Sequence, residues 1–200
     1  MFTSLRGVIR MGTDAGSGAL VALPGLRTPA VGLDAPFEML VACHERVQRS
    51  LDLLRRLRQH LIDHGASDDT AQAARDVLRY FDLAAPLHHQ DEELHVFPPL
   101  LRNADANLHA VVRRLQQDHC TMEERWAAAR VVLLAIAAPA VSRGAPLNVG
   151  QNATLNYFAA LYEQHIVDEE ALVYPAAQAT LGAAEVAAMS ADMAQRRGAR

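Results

Sequence analysis

The sequence predicts an all-α protein, an up-down-up-down four-helix bundle with an N-terminal extension and a short C-terminal helix. Apolar residues in the stretch after Asp34 recur with the 3.6-residue period of an amphipathic helix. Capping residues, glycines and prolines delimit three more long helical stretches, and the links between them are short. Because short links join helices that lie side by side and run in opposite directions, these four stretches predict an up-down bundle.

The composition suits an ordinary soluble domain and excludes several classes of function. The chain has 200 residues, of which 50% are hydrophobic and 21% are charged, enough for one domain of about 150 residues with extensions. The net charge is -4 and basic residues form no stripe, so we expect no nucleic-acid partner. No apolar run reaches the length of a membrane span, so we expect no membrane partner.

The N-terminal residues and the cysteines lead us to expect a cytoplasmic protein. The first residues lack the apolar segment of a secretory signal. The two cysteines, Cys43 and Cys120, suit free thiols in a reducing compartment. They would lie on diagonal helices of the bundle, so we expect two small buried residues and no disulfide, with redox sensing as the alternative role.

Three segments make up the predicted domain organisation. Residues 1–33 are rich in glycine and show no clear period, which predicts a leader of unclear order. Residues 34–176 form the predicted bundle domain. Residues 177–200 are rich in alanine with spaced apolar side chains, which predicts a short helix that caps the bundle.

The first helix is predicted from residue 34 to residue 64. Asp34 is the expected N-cap, and Pro36 suits the first turn. Gly65 is the expected end of the helix. His44 lies on its apolar stripe, between Leu40 and Val47.

Similar capping residues and prolines delimit the other three predicted helices. The second is predicted from Ser67–Val96, with Pro98 and the next proline ending it. The third begins near residue 105 and ends before Pro139, and the fourth runs from about Asn148 to Tyr174.

One stretch of the second helix occurs again in the fourth. Residues 78–98 and 155–175 each contain a histidine followed four residues later by a glutamate, His88 with Glu92 and His165 with Glu169. The matched residues around them are Tyr80/Tyr157, Phe81/Phe158, Asp91/Asp168, Glu93/Glu170, Phe97/Tyr174 and Pro98/Pro175. Residues four apart share one helix face, with Cβ atoms about 6 Å apart. A single such pair is usually an exposed helix pair, but two pairs in one aromatic frame indicate a site.

Two more histidines reach the same height in the predicted bundle. His44 lies about 12 Å from the start of the first helix, at about 1.5 Å per residue. His119 lies in the third helix, with Glu123 four residues later. In an up-down bundle the starts of helices one and three share an end with the stops of helices two and four. The candidate ligands that meet in this layer are therefore His44, His88, Glu92, His119, Glu123, His165 and Glu169.

This set of side chains predicts a site for two metal ions. Buried carboxylates without a cation are costly, by several kcal/mol each in rough terms. Imidazole with carboxylate and little thiolate suits iron best, with manganese or zinc as the lesser alternatives. Glu92 and Glu169 come from diagonal helices and are the natural bridges between two ions.

With these motifs the sequence resembles the hemerythrin-like, or HHE cation-binding, family over about residues 34–175. The resemblance rests on His44 and on the segments HHQDEELHVFP, DHCTMEE and HIVDEEALVYP. It implies a four-helix bundle that holds a non-haem di-iron centre bridged by carboxylates and an oxo or hydroxo group. The ligand positions that it implies are His44, His88, Glu92, His119, His165 and Glu169.

The match departs from the oxygen-carrying hemerythrins at two places. Glu123 stands where those proteins have a second histidine, and Glu169 and Glu170 stand around the place of an aspartate. An oxygen ligand in place of a nitrogen favours ferric iron, so redox or stress chemistry is expected in place of reversible oxygen carriage. The leader has no cysteine, so the iron–sulfur-repair role of some members is not expected.

Three functions stay open from the sequence. The first is a protein that binds or senses iron, dioxygen or nitric oxide, with a small diatomic molecule or peroxide as its partner. The second is a redox enzyme that uses the di-iron centre to reduce peroxide or nitric oxide. The third is a metal-free helical interaction module. The sequence does not identify a protein partner.

Several residue roles also stay open. His89 with Glu93 is a rival of the His88 pair, because one residue turns a helix by about 100° and only one pair can face the core. The repeat favours His88, which makes Glu93 and Glu170 contacts of the site histidines. Glu123 is either a ligand or an acceptor beside one. Four other aromatic residues of the repeat are expected mainly in the core, with a tyrosine hydroxyl near the metal as the alternative: Tyr80, Phe81, Tyr157 and Phe158.

Overall fold

A computed structural model describes residues 34–102, 105–138 and 146–198. The leader predicted for residues 1–33 and most of the link after the third helix lie outside the described residues. The regular structure within them is helical, so the chain is all-α as predicted. Its segments are α1 (Pro36–His64), α2 (Asp68–Asp91), a first π-helical turn (Glu92–Val96), α3 (Phe97–Leu101), α4 (Ala106–Ala137), α5 (Val149–Ala160), α6 (Tyr162–Asp168), a second π-helical turn (Glu169–Val173), α7 (Tyr174–Thr180) and α8 (Ala183–Arg196).

Helix α1 begins and ends close to the predicted residues. Pro36 lies in its first turn, where a missing N–H costs nothing. The N-cap is Ala35 rather than the predicted Asp34, and no side chain caps this end. Gly65 ends the helix with a φ of 75°, a conformation that glycine adopts without strain, and its N–H donates to the Leu61 carbonyl at 3.1 Å.

The second helical stretch runs further than predicted. Ser67 starts it with a capping box, in which the Ser67 and Thr70 hydroxyls each accept from the other residue's backbone N–H. The prolines Pro98 and Pro99 were expected to end the helix, and this is wrong, since α3 continues to Leu101. The π turn before α3 places both prolines in the first turn of a new α-helical segment, where proline is tolerated.

The fourth helical stretch repeats this behaviour. Asn148 starts it with a capping box, near the predicted residue. The stretch then continues past the predicted end at Tyr174, because the second π turn again places a proline, Pro175, in the first turn of an α-helix that reaches Thr180. The third helix, α4, begins after the N-cap Asp105 as predicted, and the Asp105 side chain accepts from two backbone N–H groups.

The long helices pack as a closed ring of neighbours. Helix α1 contacts α2, α2 contacts α4, α4 contacts α5, and α5 contacts α1. This ring accommodates the predicted bundle, and the alternating direction of its helices stays a prediction. Helix α8 contacts α1 and α2 and buries Met189 and Met193.

Two separate apolar clusters make up the core. On α1, Leu40 belongs to one cluster and Val47 to the other. On α4, Leu115 and Met122 are divided in the same way. The histidines of these helices lie between the two clusters along the chain, so a buried polar layer interrupts the apolar core. Across the described helices, no segment is both long and apolar enough to cross a membrane.

Candidate metal centre

The polar layer is formed by four histidines and two glutamates. The structure buries all six side chains, and both glutamates have 0% exposure. The six residues are His44, His88, Glu92, His119, His165 and Glu169. The structure therefore brings these six predicted residues together between the two apolar clusters.

The histidines form two pairs. The rings of His44 and His88 lie with their centroids 4.7 Å apart, nearly perpendicular to each other. His119 and His165 approach with their Nε2 atoms 3.2 Å apart. The two pairs define two halves of the centre.

Glu169 connects the two halves. Its Oε1 lies 3.0 Å from Nε2 of His165 and 3.8 Å from Nε2 of His119. Its Oε2 lies 3.1 Å from Nε2 of His44. One carboxylate therefore reaches both histidine pairs.

Glu92 spans the same gap from the opposite helix. Its Oε1 lies 3.4 Å from Nε2 of His88, and its Oε2 lies 3.5 Å from Nε2 of His119. Both glutamates therefore have the position that a carboxylate bridge requires.

The donor atoms of the layer fit a pair of cations. The possible ligand atoms form two groups, and within each group all of them lie within 4.8 Å of one another. One group is His44, His88, Glu92 and Glu169, and the other is His119, His165 and Glu169. Three of the four carboxylate oxygens in the layer, Oε2 of Glu92 and both of Glu169, are buried without a hydrogen-bond partner. Buried polar atoms normally have partners, and cations would supply them here.

For three of the four histidines, a carboxylate on the side away from the centre fixes which nitrogen faces the centre. Glu170 Oε1 lies 2.8 Å from Nδ1 of His44, and Glu93 Oε1 lies 3.0 Å from Nδ1 of His119. Asp118 lies 3.4 Å from Nδ1 of His165. An Nδ1–H that donates to a carboxylate leaves the Nε2 lone pair for a metal. The predicted contacts of Glu93 and Glu170 with the site histidines are confirmed.

This arrangement places Nε2 lone pairs against each other. With their Nδ1–H groups directed at Glu93 and Asp118, His119 and His165 present Nε2 atoms that are 3.2 Å apart. Two lone pairs repel at that distance unless a proton or a metal ion lies between them. Burial lowers the pKa of His119, but the neighbouring Glu169 and Glu93 outweigh it and raise this pKa above its ordinary value.

The two glutamates differ in their tendency to ionise. Burial, and then the charge of Glu169, raise the pKa of Glu92 well above its ordinary value. Burial acts on Glu169 in the same direction, but the charge of His165 and the closeness of the other histidines hold the pKa of Glu169 well below its ordinary value. In the metal-free protein Glu92 therefore keeps a proton more readily than Glu169. Burial also lowers the pKa of His88, which stays neutral.

Both glutamates begin a π-helical turn. Glu92 opens the first turn and Glu169 opens the second, so the repeat of the sequence is also a repeat of local structure. π-helical turns are rare and occur often at functional sites. The period of apolar residues carries no signal for them, because apolar spacing does not distinguish one wider turn in a long helix.

Glu123 is separate from the layer. Its side chain is exposed, whereas Met122 beside it is buried. The next inward position after His119 on α4 is therefore three residues on, and Glu123, which lies four residues on, points outward. The two candidate groups, which cover the described residues, do not include Glu123. The alternative that Glu123 accepts a hydrogen bond beside the site also has no support from its position.

Tyr174 is the site residue that the sequence analysis missed. Its hydroxyl donates to Glu92 Oε1 at 2.5 Å and lies 3.1 Å from Nε2 of His44. Tyr80 instead donates to the Cys43 carbonyl at 3.2 Å. Tyr157 is 49% exposed, so the expectation that it lies in the core is wrong. A signal was available in the repeat, because Phe97/Tyr174 is the aromatic match in which only one member carries a hydroxyl.

Two other expectations can be compared with the structure. The choice of His88 over His89 agrees with the structure, since His88 lies in a candidate group and His89 does not. The His89 ring stacks on His119 with centroids 4.1 Å apart. Cys43 and Cys120 are free, as expected. Cys43 is buried, but Cys120 is exposed, so the expectation of two buried residues is wrong for Cys120.

Comparison with known families agrees with this geometry. The family model of the hemerythrin HHE cation-binding domain matches residues 35–177. The chain belongs to the hemerythrin HHE family. The matched range contains the four histidines, both glutamates and both π turns.

A relative from Haemophilus influenzae, named only as an uncharacterized protein, is 39% identical over 98 residues. The match covers 49% of this chain and 56% of the relative, so the chain spans little more than half the length of the curated relative that it matches. Family membership and the buried cluster together support a metal-binding protein of the hemerythrin-like class.

Proposed function

We propose that this protein holds two iron ions in the layer between its apolar clusters and uses them to bind or sense dioxygen, nitric oxide or iron. The observation that carries the proposal is the position of the two buried glutamates. Each lies between two histidine pairs, and three of their four oxygens have no hydrogen-bond partner.

Six residues would hold the ions. His44 and His88 would hold one ion, and His119 and His165 the other, with Glu92 and Glu169 between them. Imidazole and carboxylate without thiolate suit iron, and manganese or zinc are the other occupants that this donor set accepts. An oxo or hydroxo group would complete the bridge, as the family resemblance implies. In an up-down-up-down bundle the four histidines come from four different helices, which supports a rigid centre.

When bound, the iron pair supplies the redox chemistry, and the chain's own residues set its surroundings. The apolar clusters on both sides of the layer exclude bulk water. Glu93 and Glu170 orient His119 and His44 through their Nδ1 atoms. Tyr174 holds a proton at its hydroxyl oxygen, directed at Glu92.

The donor set favours sensing or redox handling over reversible oxygen carriage. Glu123 is exposed and adds no ligand, and it occupies the place where the oxygen carriers have an additional histidine. Four imidazoles and two carboxylates therefore remain. Fewer nitrogen ligands relative to oxygen ligands favour ferric iron, which supports the proposal that the protein responds to its ligand by a change of oxidation state.

A redox enzyme that reduces peroxide or nitric oxide is the second candidate. The observation that favours it is the Tyr174 hydroxyl, which lies within hydrogen-bond distance of Glu92 and His44 inside the layer. Reduction of peroxide or nitric oxide consumes protons, and a buried hydroxyl among the ligands is a suitable donor.

Metal analysis tests the proposal directly. Protein purified without chelators should contain about two metal ions per chain, with iron in excess of manganese and zinc. Anaerobic loading with ferrous iron followed by air should then produce charge-transfer absorption. The variants His44→Ala and His165→Ala should each lose metal, whereas a variant of the exposed His64 should not. A folded protein that takes up no iron, manganese or zinc would favour the metal-free interaction module.

Turnover separates the two leading candidates. The iron-loaded protein should change its spectrum with peroxide or nitric oxide in a single event if it senses them. Repeated consumption of peroxide or nitric oxide with an external reductant would instead identify the enzyme.

A further inference from the structure

The sequence repeat places one aromatic ring beside each half of the centre. Phe97 and Tyr174 each follow a π turn, at matched positions of the repeat. The Phe97 ring stacks on His119, with centroids 5.6 Å apart and 23° between the planes. The Tyr174 ring stacks on His44, with centroids 5.5 Å apart and 13° between the planes. The two halves therefore match closely in their ring packing.

The Tyr174 hydroxyl breaks this match. Tyr174 is buried, and its hydroxyl donates to Glu92 Oε1 at 2.5 Å. It also lies 3.1 Å from Nε2 of His44. Phe97 has no polar atom to offer in the corresponding half, so the carboxylate there receives no such contact.

The two carboxylates therefore differ in their hydrogen bonds. Both oxygens of Glu169 are buried without a hydrogen-bond partner, and they face His165 and His44 at 3.0 and 3.1 Å. Glu92 has one such oxygen, Oε2, while its Oε1 accepts from Tyr174. Glu169 also belongs to both candidate groups, whereas Glu92 belongs to one.

We propose that Tyr174 is a positioning residue that makes the two carboxylate bridges unequal. Glu169 then binds both cations firmly, and Glu92 is the carboxylate that binds less tightly and detaches first. The hydrogen bond draws electron density from Glu92 Oε1 and restrains its orientation. The cation held by His44 and His88 then has the weaker carboxylate. The inference rests on the proposed function and refines it.

Chelator kinetics test this inference. The iron-loaded protein should release iron to an excess of a strong chelator in two phases, with rates about tenfold apart, because a hydrogen bond to a charged group is worth about that factor. The variant Tyr174→Phe keeps the ring on His44 and removes the hydroxyl. It should slow the fast phase and bring the two rates together.

The matched control is Tyr80→Phe, which removes a hydroxyl that donates to the Cys43 carbonyl and not to a candidate ligand. It should leave both phases unchanged. A wild-type protein that releases both iron ions in one phase would overturn the inference without any variant. Two phases that persist unchanged in Tyr174→Phe would also overturn it.

A metal-free measurement keeps this inference separate from the proposed function. In protein labelled with ¹³C at the glutamate carboxyl carbon, Tyr174→Phe should shift the Glu92 signal and leave the Glu169 signal in place, with Glu92→Gln and Glu169→Gln used for assignment. An unmoved Glu92 signal overturns the inference. Failure of the wild-type protein to bind iron overturns the proposed function, and the unequal roles of the bridges fall with it.

Discussion

At the scale of the residue, burial decides which of several acidic side chains can serve the centre. Glu92 and Glu169 have no exposed surface, whereas Glu93 and Glu170 reach the Nδ1 atoms of histidines from the rim. A buried carboxylate is costly without a positive partner. Carboxylates at the rim stay hydrated and cost little, which suits them to orient the histidines.

Glu123 provides a prediction at this scale. Because its side chain is exposed, Glu123→Ala should leave the metal content per chain unchanged and alter the free energy of unfolding by no more than about 0.5 kcal/mol. Glu123→His should likewise add no nitrogen ligand, and the spectrum of the iron-loaded protein in air should match that of the unsubstituted chain. Metal analysis and absorption spectra check both. A new stable oxygen adduct in Glu123→His would show that α4 can turn this position inward.

Protonation of Glu92 gives a second prediction. Its pKa is raised in the metal-free fold by burial and by Glu169, so it holds a proton at a pH where an ordinary glutamate is ionised. A cation must displace that proton, and the apparent metal affinity should therefore rise with pH until the pH exceeds the raised pKa. Titration calorimetry with zinc in buffers of different ionisation enthalpy should detect release of about one proton or more per chain.

The variant Glu92→Gln is the control for this proton. It cannot ionise at position 92, so the number of protons released should fall. The stability of the metal-free protein should change with pH in the opposite direction to its metal affinity. The contribution of Glu92 to folding is complete below the ordinary glutamate pKa and is lost as the pH rises through its raised pKa. An equal release of protons from both proteins would assign the proton to another group, such as His119.

At the scale of the element, the two copies of the repeat differ in what holds them from outside. Asp91, which precedes Glu92, has 0% side-chain exposure and binds both Arg196 at 2.6 Å and Arg197 at 2.5 Å. The matched Asp168, which precedes Glu169, binds Arg114 at the surface. The end of α8 and the residue after it therefore secure the first π turn, and the second has no equivalent clamp from α8 in the described structure.

This clamp predicts a stability difference between matched variants. Replacing Arg196 and Arg197 together with alanine leaves Asp91 buried without its positive partners, which should lower the free energy of unfolding by about 3–5 kcal/mol. Arg114→Ala removes the exposed partner of Asp168 and should lower the free energy of unfolding by about 0–1 kcal/mol. Urea unfolding of the metal-free proteins measures both. Equal effects of the two changes would contradict a structural role for α8.

At the scale of the whole molecule, the centre depends on a meeting of helices that are far apart in the chain. His44 and Glu170 are separated by 126 residues and lie 2.8 Å apart. Glu93 of the first π turn and His119 of α4 come together in the same way. Apolar clusters on both sides of the layer provide the burial energy that opposes the desolvation of these polar groups.

The sequence by itself determined the all-α class, the helix starts at Ser67 and Asn148, and six of the seven side chains predicted for the layer. Each of these depends on local rules, since capping chemistry marks where helices start and residues four apart share a face. The same motifs, through the resemblance that they carry, also identified the family.

Only the tertiary structure decided which side chains belong to the centre beyond those motifs. It turned Glu123 to the surface, brought the Tyr174 hydroxyl to Glu92, and continued both long helices through prolines by means of π turns. These outcomes depend on how a helix is rotated about its axis and on one wider turn within it. Packing against helices that are distant in the chain fixes this rotation. The spacing of apolar residues along one helix therefore cannot predict it.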